Sequence, residues 1–267
     1  MTIEISEREF RQFQAFIHES AGITLSSAKK ALVSGRLDKR LRERGLASYT
    51  QYHALLRSGR EPDEVQRAID LLTTNETYFF REPRHFELLH ELALDARRQG
   101  QPLRVWSAAC SSGEEPYSIA MVLADAQGDL PWEVLASDIS SRMLERARSG
   151  HYPDTRTEGI APEYLRRYCL RGTGPQAGTL LVQRALRQRV NFLQINLDRP
   201  LPSVGLFDIV FLRNVMIYFD ATTKREVVAR LVTTLKKGGH LLIGHSESLT
   251  DMHPELRAVA PSVYRRM

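Results

Sequence analysis

Apolar positions fall at helical spacing through the first hundred residues and at strand spacing after them. Ser6 and Glu9 form a capping box ahead of Phe10, Phe13 and Ile17, and Gly22 ends that run. A second helix is predicted from Ser27 to Arg44, stopped by Gly45, with Val33, Leu37 and Leu41 on one stripe. Arg36, Arg40 and Arg44 form another stripe, rotated from the first by about 60°. Their stems are therefore expected to flank the apolar seam while their charges stay in water. A short helix is expected between Ser48 and Gly59, and another starts at Pro62 with Val65, Ile69 and Leu72 on one face. After the irregular stretch TTNETYFFREP, a helix carries Phe86, Leu89 and Leu92 and ends at Gly100.

From Leu103 the pattern alternates between strands and helices. Strands are predicted at 103–106, 133–137, 190–195, 207–212 and 240–244, and helices at 114–126, 140–148 and 222–236. This alternation predicts an α/β domain, a parallel sheet with helices on both faces. The interval from Asp138 to Val190 is too long for one helical crossover. Its excess, about 162–189, combines a helix signal (PEYLRRYCL), a glycine turn (RGTGPQAG) and a β-like run (TLLVQ), which predicts a small inserted antiparallel β subdomain. The expected organisation is a basic all-helical domain over 1–72, a linker and connecting helix over 73–100, and the α/β domain over 101–267.

Composition is that of a soluble globular chain: 42% hydrophobic and 26% charged over 267 residues. No apolar run approaches a membrane span, and the opening MTIEISEREF lacks the basic and apolar regions of a signal peptide. Cys110 and Cys169 are expected to be indifferent thiols, and no Cys/His cluster has metal-ligand spacing, so no metal is expected. The net charge of +5 is unevenly placed. Between Ser26 and Arg60 nine basic residues face only Asp38 and Glu43, a surplus of seven. Charge alone leaves two readings of this stretch, a solvated helical face or a docking surface for an acidic partner centred on Arg36, Arg40 and Arg44.

The chemistry concentrates where a strand meets a helix. In VWSAACSSGEEPYS (Val105–Ser118) an apolar strand passes through small residues and Gly113 into a helix. Small side chains let a ligand approach backbone N–H groups there. The next strand ends in Asp138, an acid placed to accept hydrogen bonds from a ribose diol. The Gly-x-Gly-x-x-Gly of pyrophosphate binders is absent, so a ribosyl cofactor without phosphates, such as S-adenosylmethionine, fits better. Three further motifs flank this corner. TTNETYFFRE (Thr73–Glu82) interleaves Asn75, Thr77 and Arg81 with aromatics. NFLQINLD (Asn191–Asp198) ends a strand at Asn196, whose side-chain amide is placed to read an adenine edge. In FDIVFLRNVMIYFD (Phe207–Asp220) an apolar strand stops at Arg213 and Asn214, followed by Tyr218.

Together with ASDIS, RGTGP and GHSES, these motifs resemble the chemotaxis receptor methyltransferases, the CheR family, over nearly the whole chain. The resemblance implies a class I S-adenosylmethionine-dependent, Rossmann-like methyltransferase domain behind an all-helical N-terminal domain. It implies transfer of a methyl group from S-adenosylmethionine to glutamate side chains on the cytoplasmic helices of methyl-accepting receptors, releasing S-adenosylhomocysteine and needing no metal. It places cofactor contacts on Asn75, Thr77, Arg81, Glu115, Asp138, Asn196, Leu197, Arg213 and Asn214. Glu115 is preferred to Glu114, which sequence separates poorly. It also implies a cytoplasmic monomer recruited to membrane receptors without insertion, and in some relatives the β subdomain grips a receptor C-terminal peptide.

Glutamate is ionised near neutral pH, so its attack on a methyl group needs no general base. Arg81 is expected to orient the substrate carboxylate, and Tyr218 to hold it or close the methyl channel. His240 and His245 are expected to be structural. Other readings are a nucleic-acid methyltransferase, the same chemistry on a receptor outside chemotaxis, or a non-catalytic receptor-binding adaptor. The first lacks an Asn-Pro-Pro-Tyr type motif and aromatic interleaving in its basic region, so no nucleic-acid partner is expected.

Overall fold

A computed structural model describes residues 4–267; the first three positions of the stretch drawn as 1–72 lie outside the described residues. Helix α1 (Glu7–Ala21) opens on the capping box, with the Ser6 N–H donating to Glu9 Oε2 at 3.0 Å and the Glu9 N–H to Ser6 Oγ at 3.3 Å. Its Phe10, Phe13 and Ile17 bury against Val33, Leu37 and Leu41 of α2 (Lys30–Glu43), Tyr49 and Tyr52 of α3 (Tyr49–Arg57), and Ala68 and Ile69 of α4 (Pro62–Leu72). This is a separate small core. Helix α5 (Arg84–Arg98) does not share it: Phe86, Leu89 and Ala93 pack into the core of the α/β domain.

The arginine stripe differs from expectation. Arg40 donates from Nε to Glu64 Oε1 at 3.0 Å, and its side chain is only 14% exposed. Arg44 pairs with Glu61, and Arg36 donates to the carbonyls of Leu72 and Thr73 at 3.1 and 2.9 Å. Arg40 is therefore drawn into the seam and Arg36 is half-buried, while Arg44 stays exposed beside Glu61. The cause is α4, which packs beside α2 and presents Glu64 to it, with Glu61 just ahead of its first residue. Glu64 is 4% exposed and also accepts from the Tyr52 hydroxyl at 2.8 Å. Reversing Arg40 with Arg40→Glu should bury two carboxylates together and cost about 3 kcal/mol or more. The expected readout is a melting temperature lower by about 5 °C or more; an unchanged melting curve would return Arg40 to the surface.

The α/β domain runs β1 (Leu103–Ser107), α6 (Glu114–Ala126), β2 (Trp132–Asp138), α7 (Ser141–Ser149), β3 (His151–Pro153), α8 (Pro162–Tyr168), β4 (Cys169–Arg171), β5 (Thr179–Val182), α9 (Arg184–Arg187), β6 (Val190–Gln194), β7 (Phe207–Leu212), α10 (Ala221–Thr234), β8 (Leu235–Ile243), β9 (Leu256–Ala260) and β10 (Val263–Arg266). The main sheet has the order β6-β2-β1-β7-β8-β10-β9. Its first five strands are parallel, and β10 and β9 close it as an antiparallel hairpin, so the sheet is mixed rather than wholly parallel. The insert is a three-stranded antiparallel sheet, β3-β5-β4. It recruits His151–Pro153 and thus begins before the 162–189 stretch that sequence marks.

Candidate active site

Strand order reverses between β2 and β7 on either side of β1, and ligands of open α/β sheets bind at the carboxyl ends of the strands at such a point. There the structure has a cleft, open at its mouth. Asn75, Thr77, Arg81, Glu115, Asp138, Asn196, Leu197, Arg213, Asn214 and Tyr218 all line it. Arg36, Arg40 and Arg44 do not.

The β1–α6 corner forms the floor. Ser111 and Gly113 both take positive φ, 48° and 97°. A Cβ on Gly113 would sit 2.8 Å from both Ala147 Cβ and the Tyr152 hydroxyl, so only glycine fits where the corner presses on α7. Asp138 fixes the corner: its Oδ2 accepts from the Ser111 N–H at 2.8 Å and its Oδ1 from the Ser140 N–H at 2.9 Å. Burial raises the Asp138 carboxyl above the ordinary aspartate range, and these two N–H donors offset only part of that. Each oxygen keeps a second lone pair for a ligand.

The two adjacent glutamates separate cleanly. Glu115 turns into the cleft, accepting from Ser107 Oγ at 2.7 Å and Arg213 Nη1 at 2.8 Å. Glu114 turns the other way, to Ser112 Oγ at 2.6 Å and to Arg156 beside the insert. Arg213 has a side chain 1% exposed and is held on two sides, by Glu115 and by Glu82 Oε2 at 3.1 Å, while also donating to the Arg81 carbonyl. Glu82 is a site residue that the sequence reading passed over. Its neighbour Arg81 drew attention, yet an acid beside it in FFRE was the available signal.

The linker carrying Arg81 is pinned by its aromatics. Phe79 packs edge-on against Tyr152 at 5.0 Å, and Phe80 packs on Phe86 and Tyr164. Phe80, Glu82 and Asn214 hold positive φ near 54–58°, a conformation costly for side-chain-bearing residues and often found at functional sites. Arg81 itself donates to the Glu76 carbonyl at 3.0 Å and lies over the Tyr78 ring. The helical domain supplies one wall through Ala21 and Ile23, joined by the Thr24 N–H donating to the Tyr218 carbonyl at 2.8 Å.

Asn196 lines the cleft and also joins the two domains. Its Nδ2 donates to the Ser20 carbonyl at 2.7 Å and its Oδ1 accepts from the Asp198 N–H at 3.0 Å. The amide thus ties the helical domain to the sheet, and it keeps its second N–H and a second lone pair on the oxygen at the cleft wall. Beside it, the apolar wall of Ile139, Ile195 and Leu197 offers a flat aromatic ring a packing surface.

A parallel sheet closed by an antiparallel hairpin, with an acid-lined cleft at the switch point, defines a class I S-adenosylmethionine-dependent methyltransferase. Residues 75–264 match the family model described as CheR methyltransferase, SAM binding domain, and residues 8–73 match the CheR methyltransferase, all-alpha domain. The chain belongs to the CheR methyltransferase family. It is 44% identical to the chemotaxis protein methyltransferase of Escherichia coli (strain K12) over 265 residues, covering 98% of this chain and 92% of that relative. Identity is 43% to the protein of the same name from Salmonella typhimurium, covering 98% and 91%. It is also 43% to chemotaxis protein methyltransferase 2 of Pseudomonas aeruginosa, covering 97% and 93%.

Proposed function

We propose that this methyltransferase transfers a methyl group from S-adenosylmethionine to glutamate side chains on the cytoplasmic helices of chemotaxis receptors, forming glutamyl methyl esters. One observation carries the reading: Asp138, Glu115, Arg213, Arg81 and Tyr218 line one cleft at the switch point, with no histidine or cysteine among its lining residues to act as a base. The cofactor fits these residues. The small side chains of Ala108, Ala109 and Ser111 admit close approach, and Asp138 and Glu115 suit a ligand bearing hydroxyls and positive charge. Bound there, S-adenosylmethionine supplies an electrophilic methyl group on a sulfonium.

The chain's own residues then position and exclude water. Asp138 accepts from the ribose hydroxyls through its free lone pairs, and Leu197 and Ile195 cover the adenine. Glu115, held by Arg213 and Ser107, faces the ammonium end. Arg81 orients the incoming carboxylate, which is already ionised, and Tyr218 contacts it through a weaker dipole or closes the channel. Asn75, Thr77 and Asn214 complete the walls. The enzyme acts as a cytoplasmic monomer recruited to membrane receptors; no helix among the described residues is long and apolar enough to cross a membrane. The edge of β4, with exposed Leu170 and the Arg171–Gly172 turn, receives the receptor's C-terminal peptide as an added strand. Incubation with labelled S-adenosylmethionine and a receptor cytoplasmic fragment, with and without its C-terminal tail, tests both statements. Base-labile methyl esters are expected, fewer without the tail; label on nucleic acid alone would defeat the reading.

Asp138→Ala should weaken S-adenosylhomocysteine binding by about 1.5–3 kcal/mol, the scale of hydrogen bonds to a charged group. Because the folded carboxyl titrates above the ordinary aspartate value, wild-type affinity should decline on acidification earlier than an ordinary aspartate would dictate. Calorimetry across the acid range checks both, and equal affinity of the two proteins at neutral pH would remove Asp138 from the site.

A further inference from the structure

Beside Arg213, Glu82, His85 and His245 bring one carboxylate oxygen and two ring nitrogens within 4.8 Å of one another. We propose that these three residues form a binding site for a borderline divalent cation of the zinc type, and that occupancy loosens the anchoring of Arg213.

The distances suit such an ion. His85 Nδ1 lies 3.5 Å and His245 Nε2 3.7 Å from the same Glu82 Oε2. Donors about 2.0–2.1 Å from a tetrahedral zinc are separated by roughly 3.3 Å, so small side-chain movements complete the set. The state of the donors points the same way. His85 is 2% exposed, and neither of its ring nitrogens has a hydrogen-bond partner. Burying an imidazole with both nitrogens unmet is costly, and a metal bond would satisfy one of them. Glu82 Oε2 likewise has no hydrogen bond, only its ionic contact with Arg213.

The remaining features are those of a supported site. The other oxygen, Glu82 Oε1, accepts from Asn214 Nδ2 and from the His245 N–H, each at 3.3 Å, which orients the carboxylate. His245 has a side chain half exposed, giving the ion an entry path and leaving a coordination position for water. Arg213 opposes the ion, since Nη2 lies 3.1 Å from the ligating oxygen. A cation drawing Glu82 away therefore weakens one of the two carboxylate contacts that hold Arg213 in the cleft wall. Zinc would act as an inhibitor of cofactor binding, where sequence spacing gave no metal motif because His245 lies far along the chain.

The test is zinc binding by the full-length protein, measured by competition with a chromogenic chelator, in wild type and His245→Ala. His245 is exposed, so the variant should fold. One equivalent should bind to wild type at least tenfold more tightly than to the variant, and cobalt should give visible bands of tetrahedral intensity only in wild type. Equal stoichiometry and affinity in both proteins would mean adventitious binding at other surface histidines and would overturn the site. Zinc should also lower wild-type affinity for S-adenosylhomocysteine several-fold; an unchanged titration at full zinc occupancy would overturn the coupling to Arg213.

Discussion

Arg213→Met should weaken cofactor binding by about 100-fold or more and lower the melting temperature by roughly 10 °C. The guanidinium neutralises Glu115 at 2.8 Å and Glu82 at 3.1 Å, both largely shielded from water. Its removal leaves two buried carboxylates without their cation, and breaking such a pair from one side costs about 3–5 kcal/mol. The same loss frees Glu115 and the Arg81 carbonyl, so affinity for S-adenosylhomocysteine should fall by about 100-fold or more, near 2.7 kcal/mol. The pH dependence has a defined sign. Burial raises the Glu82 pKa, but Arg213, the His245 N–H and Asn214 together outweigh it, and the carboxyl sits below its ordinary value. Its contribution to wild-type stability is therefore present above the ordinary glutamate pKa and lost as pH falls through the lower folded value. In Arg213→Met that partner is gone, so the stability deficit against wild type should narrow in acid, where Glu82 takes a proton. Glu115→Gln added to Arg213→Met should recover part of the loss. A single variant that melts like wild type would show that the pair carries little of the fold.

The cleft was legible because its residues stand at strand ends. An apolar run that stops abruptly at Asp138 or at Arg213 and Asn214 marks the carboxyl edge of a sheet, whatever the rest of the chain does. The β1–α6 corner was readable for the same local reason. What escaped depends on partners distant in sequence. Periodicity on α2 put Arg40 beside the apolar seam, but Glu64 lies on a different helix, and only packing reveals that it is buried and takes the charge. The bond from the Asn196 amide to the Ser20 carbonyl, on another domain, was equally invisible in the sequence. The hairpin β9–β10 was missed because an edge strand such as LRAVA is mostly exposed and carries no clean alternation. Strand β3 is three residues ending in Pro153, below what any pattern resolves.

Arg81→Ala, by contrast with Arg213, should spare the fold and cost turnover. Both arginines line the cleft, but their surroundings differ. Arg81 is partly exposed, and its side chain makes one hydrogen bond, to the Glu76 carbonyl, and a cation–π contact with the exposed Tyr78. No carboxylate among the described residues pairs with it, so its removal strands no buried charge. Its remaining donors are free for an incoming glutamate, which a planar guanidinium can grip with both oxygens in a fixed orientation. If that grip supplies about 1.4 kcal/mol or more in the transition state, kcat on the receptor fragment should fall on the order of tenfold or more. S-adenosylhomocysteine carries an α-carboxylate of its own, so its affinity for Arg81→Ala is measured beside kcat: a fall in kcat at unchanged affinity assigns the Arg81 grip to the substrate glutamate, and a parallel fall in both assigns it to the cofactor. Tyr218→Phe is the companion, removing a hydroxyl in the cleft while keeping the ring. If the hydroxyl touches the substrate carboxylate, kcat falls; if the ring alone closes the channel, Tyr218→Phe turns over like wild type. Early melting of Arg81→Ala together with normal turnover in the cold would assign Arg81 to the structure of the linker and leave orientation of the substrate to Tyr218.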